Sequence, residues 1–144
     1  GDVLLTALRC DHAARQPLSF LLRTADGFTV YLPGDSTPFP EMADLLDQLP
    51  HPRPPSLRER EDRQAGTRVD ILLWMGTALA DGAQIAQLVH PKVTVTYQIG
   101  PLAAGTRARE ILTRLTPHLE FHALERHQVF VYQPPSRPTS PSSQ

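Results

Sequence analysis

Residues 28–38 read Phe28-Thr29-Val30-Tyr31-Leu32-Pro33-Gly34-Asp35-Ser36-Thr37-Pro38. The first five are aromatic, β-branched or aliphatic, the composition of a strand. Gly34-Asp35-Ser36-Thr37-Pro38 then leaves the sheet and opens a helix. Thr37 is placed to cap that helix, and Pro38 suits its first position. Phe39, Met42, Leu45, Leu46 and Leu49 follow as one apolar face. A strand feeding a helix through a short polar turn is the unit from which α/β sheets are built.

Working outward, Val3-Leu4-Leu5-Thr6-Ala7-Leu8 and Leu18-Ser19-Phe20-Leu21-Leu22 read as two earlier strands, and Asp26-Gly27 is a hairpin turn signal ahead of the third. Downstream, Val69-Asp70-Ile71-Leu72-Leu73-Trp74 is a buried-looking strand. Asp81 with Gln84 resembles a capping box for a helix that buries Ile85, Leu88 and Val89, with Pro91 just beyond it. Val93-Thr94-Val95-Thr96-Tyr97 is a further strand. Thr106 caps a helix carrying Ala108, Ile111, Leu112 and Leu115, which Pro117 stops. Leu119-Glu120-Phe121-His122 and Gln128-Val129-Phe130-Val131-Tyr132 complete the strands. The order predicts an α/β fold, a β-sheet with helices packed on one face.

The chain has 144 residues, 40% of them hydrophobic, enough for the core of one domain. Its net charge of −1 argues against bulk attraction to nucleic acid or membrane, while leaving a local nucleic-acid patch open. No apolar run approaches the roughly 18 residues of a membrane span. No basic-then-apolar leader follows Gly1, and Cys10 is the only cysteine, so a cytoplasmic location is favoured over a secreted one. Lys92 is the only lysine. Prolines number 15 and cluster. Residues 50–66, from Pro50-His51-Pro52-Arg53-Pro54-Pro55 through a run of mixed charge, carry no apolar stripe and read as a mobile loop within a domain spanning 1–132. Residues 133–144, rich in Pro and Ser, read as a disordered tail.

The combination of a strand, His12, a hairpin, Gly34-Asp35-Ser36 and a helix resembles the carboxyl-terminal half of the metallo-β-lactamase fold superfamily. In that superfamily a histidine after a strand binds one metal, and an aspartate in a Gly-Asp-Ser/Thr element about 20 residues on bridges two metals; here Asp35 stands 23 residues after His12. The segment from Val69 to Val95 is similar to the superfamily's late strand–helix–strand unit. Pro91 through Leu115 further resembles the metallo-β-lactamase-like domain of DNA-uptake competence proteins. The resemblance implies one half of an αββα sandwich. It also implies a metal site at His12 and Asp35 that would hold zinc or manganese if intact, and hydrolysis of an ester or phosphodiester.

The departures decide how far that carries. The His-x-His-x-Asp-His motif of the superfamily is absent from this chain. Where the competence proteins have His-His-Gly-Ser, the sequence reads Trp74-Met75-Gly76-Thr77, and Tyr97-Gln98-Ile99-Gly100 stands where the last metal histidine belongs. Two ligands fall short of the roughly three of a catalytic zinc site. Three readings stay open: a degenerate, non-catalytic member kept as an interaction module; a metallo-hydrolase whose other ligands lie on another segment; and an unrelated α/β interaction domain. Individual residues have plain alternatives too. Asp35 reads equally as a lead-in that caps the helix at Pro38, and His12 as a surface histidine. His122 and His127 flank a turn, Tyr97 is a half-buried strand tyrosine, and Cys10 is a small buried residue. Ser36 has no His–Asp partners and is unsupported as a nucleophile.

A half sandwich leaves one sheet face bare. The expected face includes some of Leu4, Leu8, Phe20, Leu22, Val30, Leu72 and Val95, and predicts a homodimer or docked partner that rebuilds the sandwich.

Overall fold

The computed structural model describes residues 2–13, 17–49, 69–75, 79–97, 110, 112–114, 116–117, 119–124 and 127–133. These form an α/β fold around one six-stranded mixed sheet. The strands are β1 (Val3–Arg9), β2 (Leu18–Thr24), β3 (Thr29–Leu32), β4 (Val69–Met75), β5 (Pro91–Tyr97) and β6 (Glu120–Ala123), and they lie side by side in chain order. Helix α1 (Met42–Asp47) connects β3 to β4, and α2 (Leu79–Val89) connects β4 to β5. The predicted mobile loop 50–66 and the tail beyond Gln133 lie outside the described residues, as do Thr106, Ala108, Ile111 and Leu115.

The pairing follows from the connections. A connection that returns along the same edge allows antiparallel neighbours, as the short β2–β3 turn does, and a helical crossover allows parallel ones. β1–β2 and β2–β3 are therefore antiparallel, while β3–β4, β4–β5 and β5–β6 are parallel. The β2–β3 turn closes with Gly27 N–H donating to the Thr24 carbonyl at 2.9 Å, and Gly27 takes φ 91°, a conformation that favours glycine. β1, β3, β4, β5 and β6 all point the same way, so their carboxyl ends share one edge of the sheet.

The register sorts side chains onto two faces. Leu8, Leu21, Tyr31, Leu72, Trp74 and Phe121 lie on one face and form the core with Met42 and Leu46 of α1 and Ile85, Ala86 and Val89 of α2. Each fully buried aliphatic side chain there contributes about 1.5–3 kcal/mol. Gly82 lets α2 approach this face, since a Cβ built on it would stand 2.5 Å from the Trp74 ring. The other face carries Val3, Leu5, Leu18, Phe20, Leu22, Val30, Leu32, Ile71, Leu73, Val93 and Val95 and has no helix on it among the described residues, although Val93 and Val95 are buried there.

Several expectations are corrected. Leu8 and Leu72 belong to the helix-covered core, and Val95 is buried as well; Phe20 is exposed and Leu22 and Val30 are half-buried on the open face, while Leu4 is exposed at the edge. Thr37 does not cap α1. The helix begins four residues after Pro38, with Glu41 before it making no side-chain cap bond. The reason is the pair Pro38 and Pro40, which disfavour helical geometry in Thr37 and Phe39, the residues before them. Asp81 is the third residue of α2 rather than its cap. Residues 128–132 form no strand: Phe130 stacks on His122 at 4.4 Å and Tyr132 on Phe28 at 5.4 Å, while Val129 and Val131 remain 83% and 71% exposed. The expected alternation survives, but the chain lies as a strap instead of joining the sheet.

Candidate functional site

The site the sequence points to sits at the carboxyl edge of the sheet. β1 ends there in Cys10, Asp11 and His12, and β3 ends there in Pro33-Gly34-Asp35-Ser36-Thr37. Gly34 takes φ 64°, which turns the chain at once as it leaves β3. Ser36 N–H then donates to the Pro33 carbonyl at 3.3 Å.

These two loops are stitched together. Thr37 N–H donates to the Asp11 carbonyl at 2.7 Å, and the Thr37 hydroxyl lies 3.0 Å from Asp11 Oδ2. The buried Ser36 hydroxyl accepts from Asp11 N–H at 3.2 Å and donates to the Thr37 carbonyl at 2.9 Å. Ser36 is thus a structural latch, and its proton is committed to a carbonyl rather than to a base. His12 follows Asp11 and Asp35 precedes Ser36, so the latch places both on joined loops, and both are exposed to solvent. Since α1 starts at Met42, the alternative reading of Asp35 as a helix cap falls away.

Tyr97 ends β5 at the same edge. Its phenol is held above the ordinary value, first by burial and second by the Asp35 carboxylate. Asp35, just past the end of β3, and Tyr97, at the end of β5, thus share the carboxyl lip of the sheet. Trp74, by contrast, turns into the helix-side core. Gly76, Thr77 and residues 98–100 lie outside the described residues.

The donor set among the described residues does not fit a catalytic metal. Among the described residues, no group of three or more His, Cys, Asp or Glu side chains converges. The ends of β4 and β5 bring Met75 and a phenol where further imidazoles would be required. His12 and Asp35 amount to two donors, below the roughly three that hold a working zinc. His122 is engaged elsewhere, 2.6 Å from Glu120 Oε1 and stacked on Phe130. His127 takes φ 69° in the turn ahead of the strap, and His51 lies outside the described residues. Cys10 is free and buried.

Sequence reasoning missed one polar cluster at the opposite edge. Asp70 accepts from Thr29 N–H at 2.8 Å and from its hydroxyl at 3.1 Å, and pairs with Lys92 at 3.0 Å. The available signal was an aspartate inside an apolar run and a solitary lysine. No helix among the described residues is long and apolar enough to cross a membrane. No protein-family model matches this chain, and no curated protein matches it.

Proposed function

We propose that this chain is a non-catalytic relative of the metallo-β-lactamase superfamily, one half of an αββα sandwich that works as a docking module. The observation that carries this reading is the asymmetry of the sheet. Helices cover one face, and the other is apolar and open over β1 and β2, with Val3, Leu5 and Leu18 each more than half exposed, while Val93 and Val95 on β5 are buried. Together with Phe20, the side chains of Val3, Leu5 and Leu18 form an exposed apolar patch on β1 and β2, the kind of surface that marks an interface. A second sheet, from another copy or a docked partner, would pack about 10 Å above it. The latch that joins the His12 and Asp35 loops at the sheet edge supports a site derived from a metal centre. With two donors it binds zinc or manganese weakly, and this chain alone hydrolyses nothing.

Elemental analysis after dialysis against zinc and then against manganese tests the site. The expected result is occupancy well below one metal per chain. One or two tightly held metals would overturn the reading and favour a metallo-hydrolase completed by another segment. For the docking face, Leu18→Glu places a charge on the exposed β1–β2 part of the surface. It should weaken association without unfolding the domain. Unchanged association would remove the face from the proposal.

A further inference from the structure

We infer that β1 is an interior strand in solution, continued across its free edge by β1 of a second copy running antiparallel to it. This inference rests on the edge of the sheet and not on the superfamily resemblance.

β1 is the first strand of the sheet, so one of its edges has no neighbour among the described residues. The hydrogen-bond phase can be fixed. Ala25 N–H donates to the Asp2 carbonyl at 3.0 Å, and residues 2 and 25 continue the register that pairs Val3 with Thr24. Hydrogen-bonded pairs alternate along an antiparallel ladder. Asp2, Leu4, Thr6 and Leu8 therefore bond to β2, and Val3, Leu5, Ala7 and Arg9 direct their amides and carbonyls outward. That edge runs for seven residues without a proline or lysine, the usual devices that blunt an edge against pairing.

The side chains point the same way. A strand at the margin of a half-covered sheet exposes one face; β1 exposes apolar groups on both. Val3 and Leu5 lie on the open face at 56% and 58% exposure, and Leu4, on the helix side, is 41% exposed. A second β1 related by a two-fold axis perpendicular to the sheet, centred on Thr6, would use every outward group. It sets Leu4 opposite Leu8 of the partner subunit and Leu5 opposite Ala7 of the partner subunit, with the two Thr6 residues facing each other. Such cross-strand apolar and Thr–Thr pairs are stabilising. Charge selects the direction. Asp2 and Arg9 stand at opposite ends of the strand, so antiparallel pairing brings unlike charges near each other, whereas parallel pairing stacks like on like. The two-fold closes at two copies.

The test uses the full chain with Cys10→Ser to remove the native thiol. Facing residues in a non-hydrogen-bonded pair lie about 4.5 Å apart at Cα, within the span of a disulfide. Thr6→Cys should therefore form a covalent dimer under mild oxidation, about tenfold more than Leu18→Cys on the sheet face. Ala7→Pro removes an outward amide that β2 does not use, and should weaken dimerisation about tenfold or more in sedimentation. A monomer at about 100 μM overturns the inference. So do open-ended polymers, and so does cross-linking of Leu18→Cys but not Thr6→Cys, which would instead place the second copy on the open face of the docking proposal.

Discussion

The ammonium of Lys92 lies 3.0 Å from Oδ1 of Asp70, with both side chains more than four-fifths shielded from water. Asp70 is on β4, Lys92 on β5 and Thr29, which gives Asp70 two hydrogen bonds, on β3. One carboxylate thus ties three neighbouring strands together at the amino edge of the parallel ladder. Backbone hydrogen bonds alone do not distinguish one register from a slip by two residues; a charge pair at one end does.

Asp70→Ala should cost about 3–5 kcal/mol, because it removes the shielded pairing with Lys92 and the acceptor of Thr29. Adding Lys92→Met should recover part of that loss, since the shielded charge that had faced Asp70 goes with it. Urea denaturation of the single and double variants measures both. A double variant no more stable than Asp70→Ala would mean that Thr29 carries the effect.

Gly82→Ala sets two effects against each other. Alanine favours a helix interior over glycine by about 1 kcal/mol. The added Cβ, however, would stand 2.5 Å from the Trp74 ring, which is fixed in the core. Overpacking of this kind costs about 1–3 kcal/mol, so the variant should be less stable than the parent. Trp74 is the only tryptophan, and its fluorescence should report the displacement directly.

The latch and the exposed carboxylate beside it should behave differently. Ser36→Ala removes a buried acceptor for Asp11 N–H and should cost about 1–2 kcal/mol. Asp35→Ala, next in the chain, caps no helix and is solvent-exposed, so its effect should stay within about 0.5 kcal/mol. Thermal melts decide between this and a structural role for Asp35. The same substitution should also lower the Tyr97 pKa without restoring it fully, because burial is the larger cause.

Base should unfold the protein through its tyrosines. Tyr31 and Tyr97 are both held above 10.0 in the fold, each mainly by burial. A group whose folded pKa is raised contributes stability that is complete below its unfolded value and is lost as pH rises through the folded one. Stability should therefore be insensitive to these groups below pH 10 and fall above it. Tyr31→Phe should flatten that fall, at the expense of the hydrogen bond it donates to Ser19 at 3.3 Å. A base limb unchanged by Tyr31→Phe would assign the loss to other groups.

Sequence by itself located the six strands along the chain, though it also read a strand at 128–132 that does not form. Their β-branched and aromatic runs, punctuated by Asp26-Gly27 and by prolines, are local signals that tertiary contacts reinforce. The late start of α1 was also legible in principle, because Pro38 and Pro40 act on the residues beside them. Three things were settled only by tertiary structure. The strands are apolar on both faces, so period two could not tell whether Leu8 and Leu72, or Leu5 and Ile71, lie under the helices; that depends on which side the crossovers take. The run from Gln128 to Tyr132 alternates as a strand must, yet its aromatic rings pack on His122 and Phe28 instead of extending the sheet. The lip was half legible: residue types nominated His12 and Asp35, but only the fold supplies the Ser36 and Thr37 bonds that join their loops and sets Asp35 and Tyr97 at the same edge of the sheet. Long-range electrostatics and hydrogen bonding depend on distance in space, and sequence separation does not fix that distance.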